Sequence, residues 1–442
     1  MQTEQLYQIF LAQNQNISTD SRKITQGCLF FALKGDHFDA NQYATQALEQ
    51  GAAYAITDDP SLPAHAQIIG VENVLQTLQT LATHHRKTLK IPVIGIAGSN
   101  GKTTTKELLN AVLATHFRTH ATPGNLNNHI GVPLTLLAMP TDTQIAIVEI
   151  GANHPHEVAQ LCQIAQPNYG IVTSIGKEHL EGFETLEAII ETEGEMYDYV
   201  LQQNGGIFIN KNDETLVQRA KKYANSTKDT AIYYGTQTTA DCIGELTDAS
   251  RYIKFRWETA PSSLPQAPEI TTQLTGAYNL DNLLAAACIG RYFSVPYHKI
   301  NAALAAYSPS NNRSQLLTAG TNTIISDAYN ANPSSMKLAL ENLAHHIQAT
   351  NKMPIIGDML ELGAATDLEH QNTIDLLQFL GFEQAILVGT HFYKQKNYAA
   401  TSYHFFETTA ALKAEMPLSG FQDSFLLLKA SRSIGLEKYL TQ

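Results

Sequence analysis

The stretch GIAGSNGKTTTKELL, residues 95–109, decides the fold of this 442-residue chain. It continues the β-rich run IPVIGIAG (91–98) and leads directly into helical sequence, which predicts a strand, a glycine-rich loop and a helix in succession. Such a loop points backbone N–H groups at an anionic phosphate beside a helix N-terminus. The strict G-x-x-x-x-G-K-[ST] pattern fails at one position, because Ile96 stands where the first glycine belongs. The order of elements still predicts an ATP- or GTP-binding loop made of Gly98, Ser99, Asn100, Gly101, Lys102, Thr103 and Thr104.

Within this loop Lys102 is expected to reach the β- and γ-phosphates and the Thr103 hydroxyl to bind Mg²⁺. The next apolar run, IAIVEIG, ends in Glu149, and a carboxylate at a buried strand end needs a cation, so it is the expected acidic partner of magnesium. One strand later, IVTSIGKEHLEGF places His179 beyond the carboxyl end of the sheet, where open α/β sheets bind ligands. A histidine in such a loop is more often a surface residue, so His179 requires corroboration.

Working outward, strand-like and helix-like runs alternate from residue 91 to residue 210, which predicts a parallel sheet covered by helices. Residues 230–275 instead predict short strands of an antiparallel edge or flap. The turn-rich SPSNNR (308–313) is the expected linker to a further α/β domain. The predicted fold class is therefore α/β in three domains: 1–85, mixed α/β; 86–310, a central P-loop domain with a parallel sheet; and 311–442, a C-terminal α/β domain.

Composition narrows the function classes. Subtracting 41 acidic from 29 basic residues leaves a formal charge of −12, which argues against non-specific binding to nucleic acid or an anionic membrane surface. No window approaches 18 uninterrupted apolar residues, so no membrane insertion is expected. The four cysteines show no CxxC spacing, which gives no sign of a zinc site or a disulfide framework. A cytoplasmic protein is expected.

Several motifs together resemble the Mur ligases, the ATP-dependent amide-forming enzymes of peptidoglycan assembly. These are GSNGKTT, VEIG, HLEGF, GAYNLDNLLAA (276–286) and SDAYNANPSS (326–335). Further motifs resemble the members that join D-alanyl-D-alanine to UDP-N-acetylmuramoyl-tripeptide: TDSR (19–22), LFFALKGD (29–36), GNLNNHIGVPLTLL (124–137), DAYNANP (327–333) and GDMLELG (357–363). The resemblance implies a first domain that binds the UDP of the precursor, a central ATP-binding domain, and a Rossmann-like third domain that closes over the site. ATP and Mg²⁺ are the implied cofactors, and a monomer is expected.

By matching position, the resemblance places one set of residues at the nucleotide: Asn279, Asn282, Arg313, Asp327, Tyr329 and Asn330. The asparagines would lie near adenine and ATP, the arginine at the phosphates, the aspartate at the ribose, and the last two beside the base. The alternative for Asn279 and Asn282 is helix N-cap chemistry.

A second set is implied for the precursor. Ser21 and Arg22 match the uracil-nucleotide end of the first domain, and Asn127 and Asn128 match a loop near the muramoyl-peptide. On its own, the Asn-rich loop is equally compatible with turn chemistry.

One departure concerns a lysine that family members carry in the helix after the His179 loop, where its carbamate helps to bind a second magnesium. Glu193 replaces it here. The implied catalytic residues are therefore Lys102, Glu149, His179 and Glu193, and the implied metal ligands are Thr103, Glu149, His179 and Glu193. Whether Glu193 binds metal directly, through water, or is instead hydrogen-bonded to nearby backbone stays open, because its reach is roughly 3–4 Å shorter than that of a carbamate.

Other functions remain as alternatives. Within the family these are addition of diaminopimelate or lysine to the dipeptide, or of glutamate to folate. The diaminopimelate-adding type carries a D-N-P-R motif, whereas residues 330–334 read NANPS without an arginine. A regulatory P-loop NTPase that forms no amide is the alternative from a different class.

Overall fold

The computed structural model describes residues 2–35, 37–223, 230–260, 264–310, 312–399 and 402–440. It is an α/β protein of three domains. The first contains strands β1 (Ile17–Ser18), β2 (Leu29–Phe31), β3 (Lys34–Gly35), β4 (Phe38–Asp39), β5 (Tyr54–Thr57) and β6 (Ile68–Gly70). Its helices are α1 (Thr3–Ala12), α2 (Ala44–Glu49) and α3 (Val74–Leu89). A parallel sheet has the order β1-β2-β5-β6, and β3 and β4 pair separately as an antiparallel ribbon.

The central domain is built on the sheet β15-β14-β13-β12-β11-β10-β7-β9-β8. The strands are β7 (Val93–Ala97), β8 (Thr119–Ala121), β9 (Ile145–Glu149), β10 (Tyr169–Val172), β11 (Gly206–Asn210), β12 (Ala231–Gly235), β13 (Cys242–Asp248), β14 (Lys254–Thr259) and β15 (Ile270–Thr271). The helices are α4 (Lys102–Leu113), α5 (Gly131–Leu137), α6 (Glu157–Ala165), α7 (Leu180–Phe183), α8 (Leu186–Gln202), α9 (Glu214–Lys221), α10 (Leu280–Tyr292) and α11 (Tyr297–Ala306). The pairings β13–β14 and β14–β15 are antiparallel, as the sequence predicts for this edge. The prediction is wrong for β12, which continues the parallel part of the sheet on both of its sides.

Strand β7 lies inside the sheet between β9 and β10, and its side chains are buried on both faces. Ile94 and Ile96 pack into the core formed with α4 and α10, whereas Val93 and Ala97 face the core formed with α3, α6 and α8. A strand buried on both faces is apolar throughout, which is why the run has no polar alternation. Because β7, β9 and β10 are parallel, the loops after all three strands meet at one edge of the sheet.

The third domain has the sheet order β16-β17-β21-β18-β19-β20, parallel except for the β16–β17 pair. Its strands are β16 (Gln315–Ala319), β17 (Asn322–Asp327), β18 (Asn351–Gly357), β19 (Ala385–Val388), β20 (Tyr403–Phe406) and β21 (Ser424–Lys429). Its helices are α12 (Pro333–His345), α13 (Thr366–Phe379), α14 (Thr390–Lys394) and α15 (Thr409–Glu415). The Asn332 side chain caps α12 and Pro333 opens it, the arrangement that starts a helix most readily.

Helix α3 joins the first two domains. Its residues Leu78 and Leu81 belong to the same apolar core as Phe10 of α1 and Leu161 of α6. The sequence boundary between residues 85 and 86 falls inside this helix, and the division into 1–85, 86–310 and 311–442 stays a prediction. The expected linker, 308–313, includes position 311, which lies outside the described residues.

The third domain contacts the phosphate loop directly. Asn332 Nδ2 donates a hydrogen bond to Asn100 Oδ1 at 2.9 Å. Nearby, the Lys177 N–H donates to Ser334 Oγ at 2.8 Å, and Lys177 Nζ pairs with Glu369 at 2.7 Å. The three domains are therefore arranged with the third closed over the carboxyl edge of the central sheet.

Candidate active site

The phosphate loop owes its shape to two glycines. Gly98 and Gly101 have φ of +118° and +87°, in the region that other residues rarely adopt. A Cβ on Gly98 would lie 2.7 Å from the Thr173 backbone nitrogen, and one on Gly101 would lie 2.5 Å from Asn282 Oδ1. Both positions therefore require glycine, and α4 begins immediately afterwards at Lys102. The predicted strand, loop and helix are confirmed.

On one side of this loop Glu149 is surrounded by donors. The Thr103 hydroxyl lies 3.0 and 3.1 Å from its two oxygens, Asn127 Nδ2 donates at 2.9 Å, and Lys106 Nζ lies 3.2 Å away. Glu149 and Lys106 are both almost fully buried. A buried carboxylate needs such partners, so this group, called here the Glu149 side, is complete within the protein.

On the other side lie two buried carboxylates, Glu178 and Glu193, with Lys102. Glu193 Oε2 accepts a hydrogen bond from the Gly98 N–H at 2.6 Å, and Glu178 Oε2 lies 3.7 Å from Lys102 Nζ. Glu193 Oε1 and Glu178 Oε1 are buried and have no hydrogen-bond partner in the described part of the chain. This group, called here the Glu193 side, therefore has two acceptors without a donor.

Electrostatics distinguish the Glu193 side further. Burial raises the pKa of Glu193 to about 7; Lys102 opposes this rise and Glu178 adds to it. Burial also raises the pKa of Glu178. For Lys102 burial alone would lower the pKa, but Glu178, Glu193 and Glu149 outweigh it, so the pKa rises and the lysine stays charged. Lys102 Nζ donates to the carbonyls of Gly98 and Ser99 of its own loop.

His179 lies at the domain interface. Its Nδ1 pairs with Glu361 of the third domain, and its Nε2 lies 3.8 Å from Glu178 Oε2. The hydrogen bond from His179 holds the pKa of Glu361 below its ordinary value. His179 is partly buried and borders the cavity beside the phosphate loop, and its part in the reaction stays a prediction.

The nucleotide residues predicted from the second domain interact with one another. Asn282 Nδ2 donates to Asn279 Oδ1 at 2.9 Å, and Asn282 Oδ1 accepts from Thr105. Asn279 makes no capping bond to α10 and donates instead to the Thr275 carbonyl and to Ser314 Oγ. Asn279 therefore stands at the N-cap position of α10 without a side-chain capping bond, and Asn282 bonds to side chains instead of capping the helix.

The nucleotide residues predicted from the third domain lie opposite. Asp327 accepts from the Ser314 N–H and pairs with Lys429 at 2.7 Å. The Arg313 guanidinium stacks over the Tyr329 ring at 3.8 Å from its centre. Lys429 also donates to the Asn330 carbonyl, so these residues form a connected wall.

Most of the predicted site residues border a cavity of about 1280 Å³ between the domains. The predicted residues on its wall are Ser99, Asn100, Gly101, Lys102, Thr103, Thr104, Asn127, Asn128, Glu149, His179, Asn279, Asn282, Arg313, Asp327, Tyr329 and Asn330. Gly98 and Glu193 lie just behind it and are joined by their hydrogen bond. The cavity extends away from the phosphate loop along α3 and α6, where Gln79, Thr83 and Gln160 line it.

The residues predicted to bind the precursor form two pairs, Asn127 with Asn128 and Ser21 with Arg22, and only the first pair borders the cavity. Asn127 positions Glu149, while Asn128 accepts hydrogen bonds from Ile130 and Gly131 at the start of α5. Ser21 and Arg22 do not line the cavity. Arg22 is exposed and pairs with Asp20, whose pKa falls to about 2 through that hydrogen bond. Their role in binding the uracil nucleotide stays a prediction.

The sequence pattern missed Lys106, Glu178, Glu361 and Lys429. Lys106 follows Lys102 by one helical turn and has the sequence signature of a solvated helix residue, although it is buried. Glu178 directly precedes His179, and that neighbour was the available signal. Glu361 and Lys429 reach their partners only through the tertiary fold.

The residues fit a divalent cation in part. Thr103 and Glu149 offer a hydroxyl and a carboxylate in contact, the hard oxygen ligands that Mg²⁺ prefers, and Glu178 and Glu193 each offer an oxygen without a partner. The four predicted ligands do not converge on one point, and within the described residues no group of three or more His, Cys, Asp or Glu is arranged to hold a metal.

A glycine-rich loop on an internal parallel strand, facing a third α/β domain across a large cavity, is the architecture of a nucleotide-dependent enzyme. Three family models match the chain: the Mur ligase family catalytic domain at residues 14–86, the Mur ligase middle domain at 96–290, and the Mur ligase glutamate ligase domain at 312–432. The chain therefore belongs to the Mur ligase family.

Comparisons with individual relatives over nearly the full chain support the same family. The UDP-N-acetylmuramoyl-tripeptide--D-alanyl-D-alanine ligase of Bacillus subtilis is 34% identical, with 96% of this chain and 91% of the relative covered. The Escherichia coli enzyme of the same name is 30% identical, with coverage of 96% and 92%. The crystal structure of MurF from Acinetobacter baumannii superposes with a TM-score of 0.84 at 28% identity, covering 96% and 92%. No helix in the described ranges has the length and apolar character to cross a membrane.

Proposed function

We propose that this chain is an ATP-dependent ligase that joins D-alanyl-D-alanine to UDP-N-acetylmuramoyl-tripeptide in peptidoglycan precursor synthesis. The printed names of its full-length relatives support the substrates. The observation that carries the chemistry is Lys102, Thr103 and Glu149 at one end of a cavity whose opposite wall comes from the third domain. We further propose that the enzyme acts in the cytoplasm as a monomer.

The reaction needs an activated carboxylate, because a carboxylate does not react with an amine at neutral pH. The terminal carboxylate of the tripeptide attacks the γ-phosphorus of ATP, which releases ADP and gives an acyl phosphate. The amine of D-alanyl-D-alanine then attacks the acyl carbon, loses a proton, and the C–O bond to phosphate breaks. The products are the amide, ADP and inorganic phosphate.

The phosphate loop performs the first step by charge and position. Its N–H groups and the charged Lys102 would hold the β- and γ-phosphates, which leaves the γ-phosphorus open to in-line attack. Lys102 now donates to its own loop, so it has to exchange the Gly98 and Ser99 carbonyls for phosphate oxygens.

Magnesium, when bound, would neutralise the phosphate oxygens during transfer. We assign Thr103 and Glu149 to one ion, and Glu193 with His179 to a second. Asn127 and Lys106 hold Glu149 in place from behind. Glu193 is held by the Gly98 N–H through one oxygen, which leaves its other oxygen for the cation or for a water molecule bound to it.

The remaining residues bind and enclose the substrates. Asn279 and Asn282 would contact adenine, Asp327 the ribose, and Arg313 the phosphates, with Tyr329 and Asn330 beside the base. Because the third domain covers the loop, it would exclude the water that hydrolyses an acyl phosphate. The long arm of the cavity along α3 gives the tripeptide a path from the first domain.

A phosphate-release assay tests this function. ATP turnover should require UDP-N-acetylmuramoyl-tripeptide and D-alanyl-D-alanine together, and mass spectrometry should find the joined product. Turnover with the dipeptide precursor and a free amino acid, or with a folate and glutamate, would instead indicate another ligase of the family. ATP turnover in the absence of both substrates would indicate a regulatory NTPase.

A further inference from the structure

His179 is held between carboxylates that belong to different domains. Glu178, its neighbour in the chain, faces Nε2 at 3.8 Å, while Glu361 of the third domain binds Nδ1. A carboxylate can only accept a hydrogen bond, so Nδ1 carries the hydrogen in this arrangement. Nε2 is the ring nitrogen that faces the Glu193 side, where Glu178 Oε2 lies 3.8 Å away.

The backbone on both sides of this contact is unusual. His179 has a φ of +44° and Glu361 a φ of +62°, left-handed conformations that are unfavourable for a residue other than glycine. Such conformations persist only where surrounding structure enforces them. Here the two segments enforce each other, because the Glu181 N–H donates to the Glu361 carbonyl at 3.0 Å.

The segments also fit too closely for this contact to be incidental. A Cβ on Gly363, which has a φ of +52°, would lie 3.1 Å from Glu181 Cα. The loop from Glu361 to Gly363 therefore packs directly against the start of α7, and this packing aims the Glu361 carboxylate at the His179 ring.

Glu361 itself does not line the cavity, whereas His179 and Glu178 do. An effect of Glu361 on the reaction beyond docking of the third domain would therefore pass through His179. A histidine that binds a metal commonly has its second ring nitrogen fixed by a carboxylate in this way, and loss of the carboxylate typically costs 10–100-fold in affinity or activity.

We propose that Glu361 is a positioning residue that fixes the Nδ1–H tautomer of His179, and that it does so only when the third domain is closed. Closure thereby completes the Glu193 side of the phosphate loop and does not merely cover it. The consequence for the rate rests on the proposed ligase function; the tautomer does not.

A matched control exists at the same interface. Lys177, two residues before His179, pairs with Glu369 of the third domain at 2.7 Å. Neither residue lines the cavity and neither contacts His179. Glu369→Gln therefore breaks a contact between the same two domains without changing the partners of the histidine.

The first measurement is the kinetics of Glu361→Gln and Glu369→Gln in the full-length enzyme with both substrates. Glu361→Gln should lower kcat by about 10–100-fold while KM for ATP stays within about threefold. Glu369→Gln should leave kcat within about threefold. Equal losses in the two variants, or a loss confined to KM, would mean that Glu361 only docks the domain, and would overturn the proposal.

The second measurement is independent of activity. In protein labelled with ¹⁵N-histidine and bound to a non-hydrolysable ATP analogue, the His179 ring signals are identified by their loss in His179→Gln. The wild type and Glu369→Gln should show the Nδ1–H tautomer, and Glu361→Gln a shift towards Nε2–H. An unchanged tautomer in Glu361→Gln overturns the proposal whatever the rates. Failure of the wild type to form the amide would instead overturn the proposed function and leave this result interpretable.

Discussion

The Glu149 side and the Glu193 side of the phosphate loop stabilise their buried carboxylates differently. Each buries carboxylate oxygen next to the place where phosphate is expected. On the Glu149 side one carboxylate receives a hydroxyl, an amide and the ammonium of Lys106. On the Glu193 side two carboxylates share Lys102 and one backbone N–H, and two of their oxygens have no partner in the described residues.

The difference indicates where the protein depends on what it binds. A buried carboxylate whose counterion is built in contributes to a stable site, whereas one without a full set of donors favours protonation or a cation from outside. The raised pKa of Glu193, about 7, is the first of these responses. A bound cation would be the second.

The largest expected effect is the loss of turnover when Lys102 is removed, whereas loss of Lys106 should affect stability. Lys102→Ala removes the cation that is free to turn towards phosphate, so kcat should fall about 10³-fold, the scale of losing a preorganised charge. Phosphate release with both substrates measures it. Lys177→Ala, which removes a nearby lysine that does not line the cavity, should keep kcat within a few-fold. A Lys102→Ala enzyme with near-normal turnover would contradict the assignment of the loop.

Lys106, one turn further along α4, should act on stability. Lys106→Met leaves Glu149 buried without its cation, so the free energy of unfolding in denaturant should drop by about 3–5 kcal/mol. The double variant Lys106→Met/Glu149→Gln removes both charges and should recover most of this loss. If the single and double variants unfold alike, Lys106 is not the counterion that completes the Glu149 side.

Glu193 should make stability depend on pH. Its folded-state pKa is raised from 4.5 to about 7, so the folded protein holds a proton that the unfolded chain releases in that window. The free energy of unfolding therefore falls as the pH rises from about 5 to about 8. In metal-free buffer Glu193→Gln should lose less stability over this range, by on the order of 3 kcal/mol at most.

The control for this experiment is Glu187→Gln, which alters an exposed glutamate in the first turn of the same helix. It should follow the wild-type pH dependence. Identical curves for Glu193→Gln and the wild type would show that Glu193 is not the group that titrates.

The sequence predicted those parts of the site that local chemistry determines. The phosphate loop follows from two glycines and a lysine at a helix start, and the side chains of Asn73 and Thr185 likewise cap the starts of α3 and α8. Glu193 stood out in the sequence because it replaces a lysine of the family, and the structure shows that it is fully buried.

The contacts that the sequence did not predict depend on how strands and helices are arranged in the folded structure. Strand β21 comes last in the chain yet lies between β17 and β18, and only this placement brings Lys429 to Asp327. Two acidic residues of α8 also find partners on other helices: Glu195 binds His156 and the Ala159 N–H, and Asp198 binds buried Arg219. The residue periodicity of one helix does not reveal which residues of another helix its side chains contact.

The most direct test of the comparison is a Mn²⁺ titration followed by electron paramagnetic resonance, with a non-hydrolysable ATP analogue and without bicarbonate. If the Glu193 side binds an external cation through its own carboxylate, the wild type should bind its full number of Mn²⁺ equivalents without CO₂. Glu193→Gln should then bind one equivalent fewer, or bind that equivalent at least tenfold more weakly. Equal binding by the two proteins, or a wild type that regains an equivalent only when bicarbonate is added, would contradict the account.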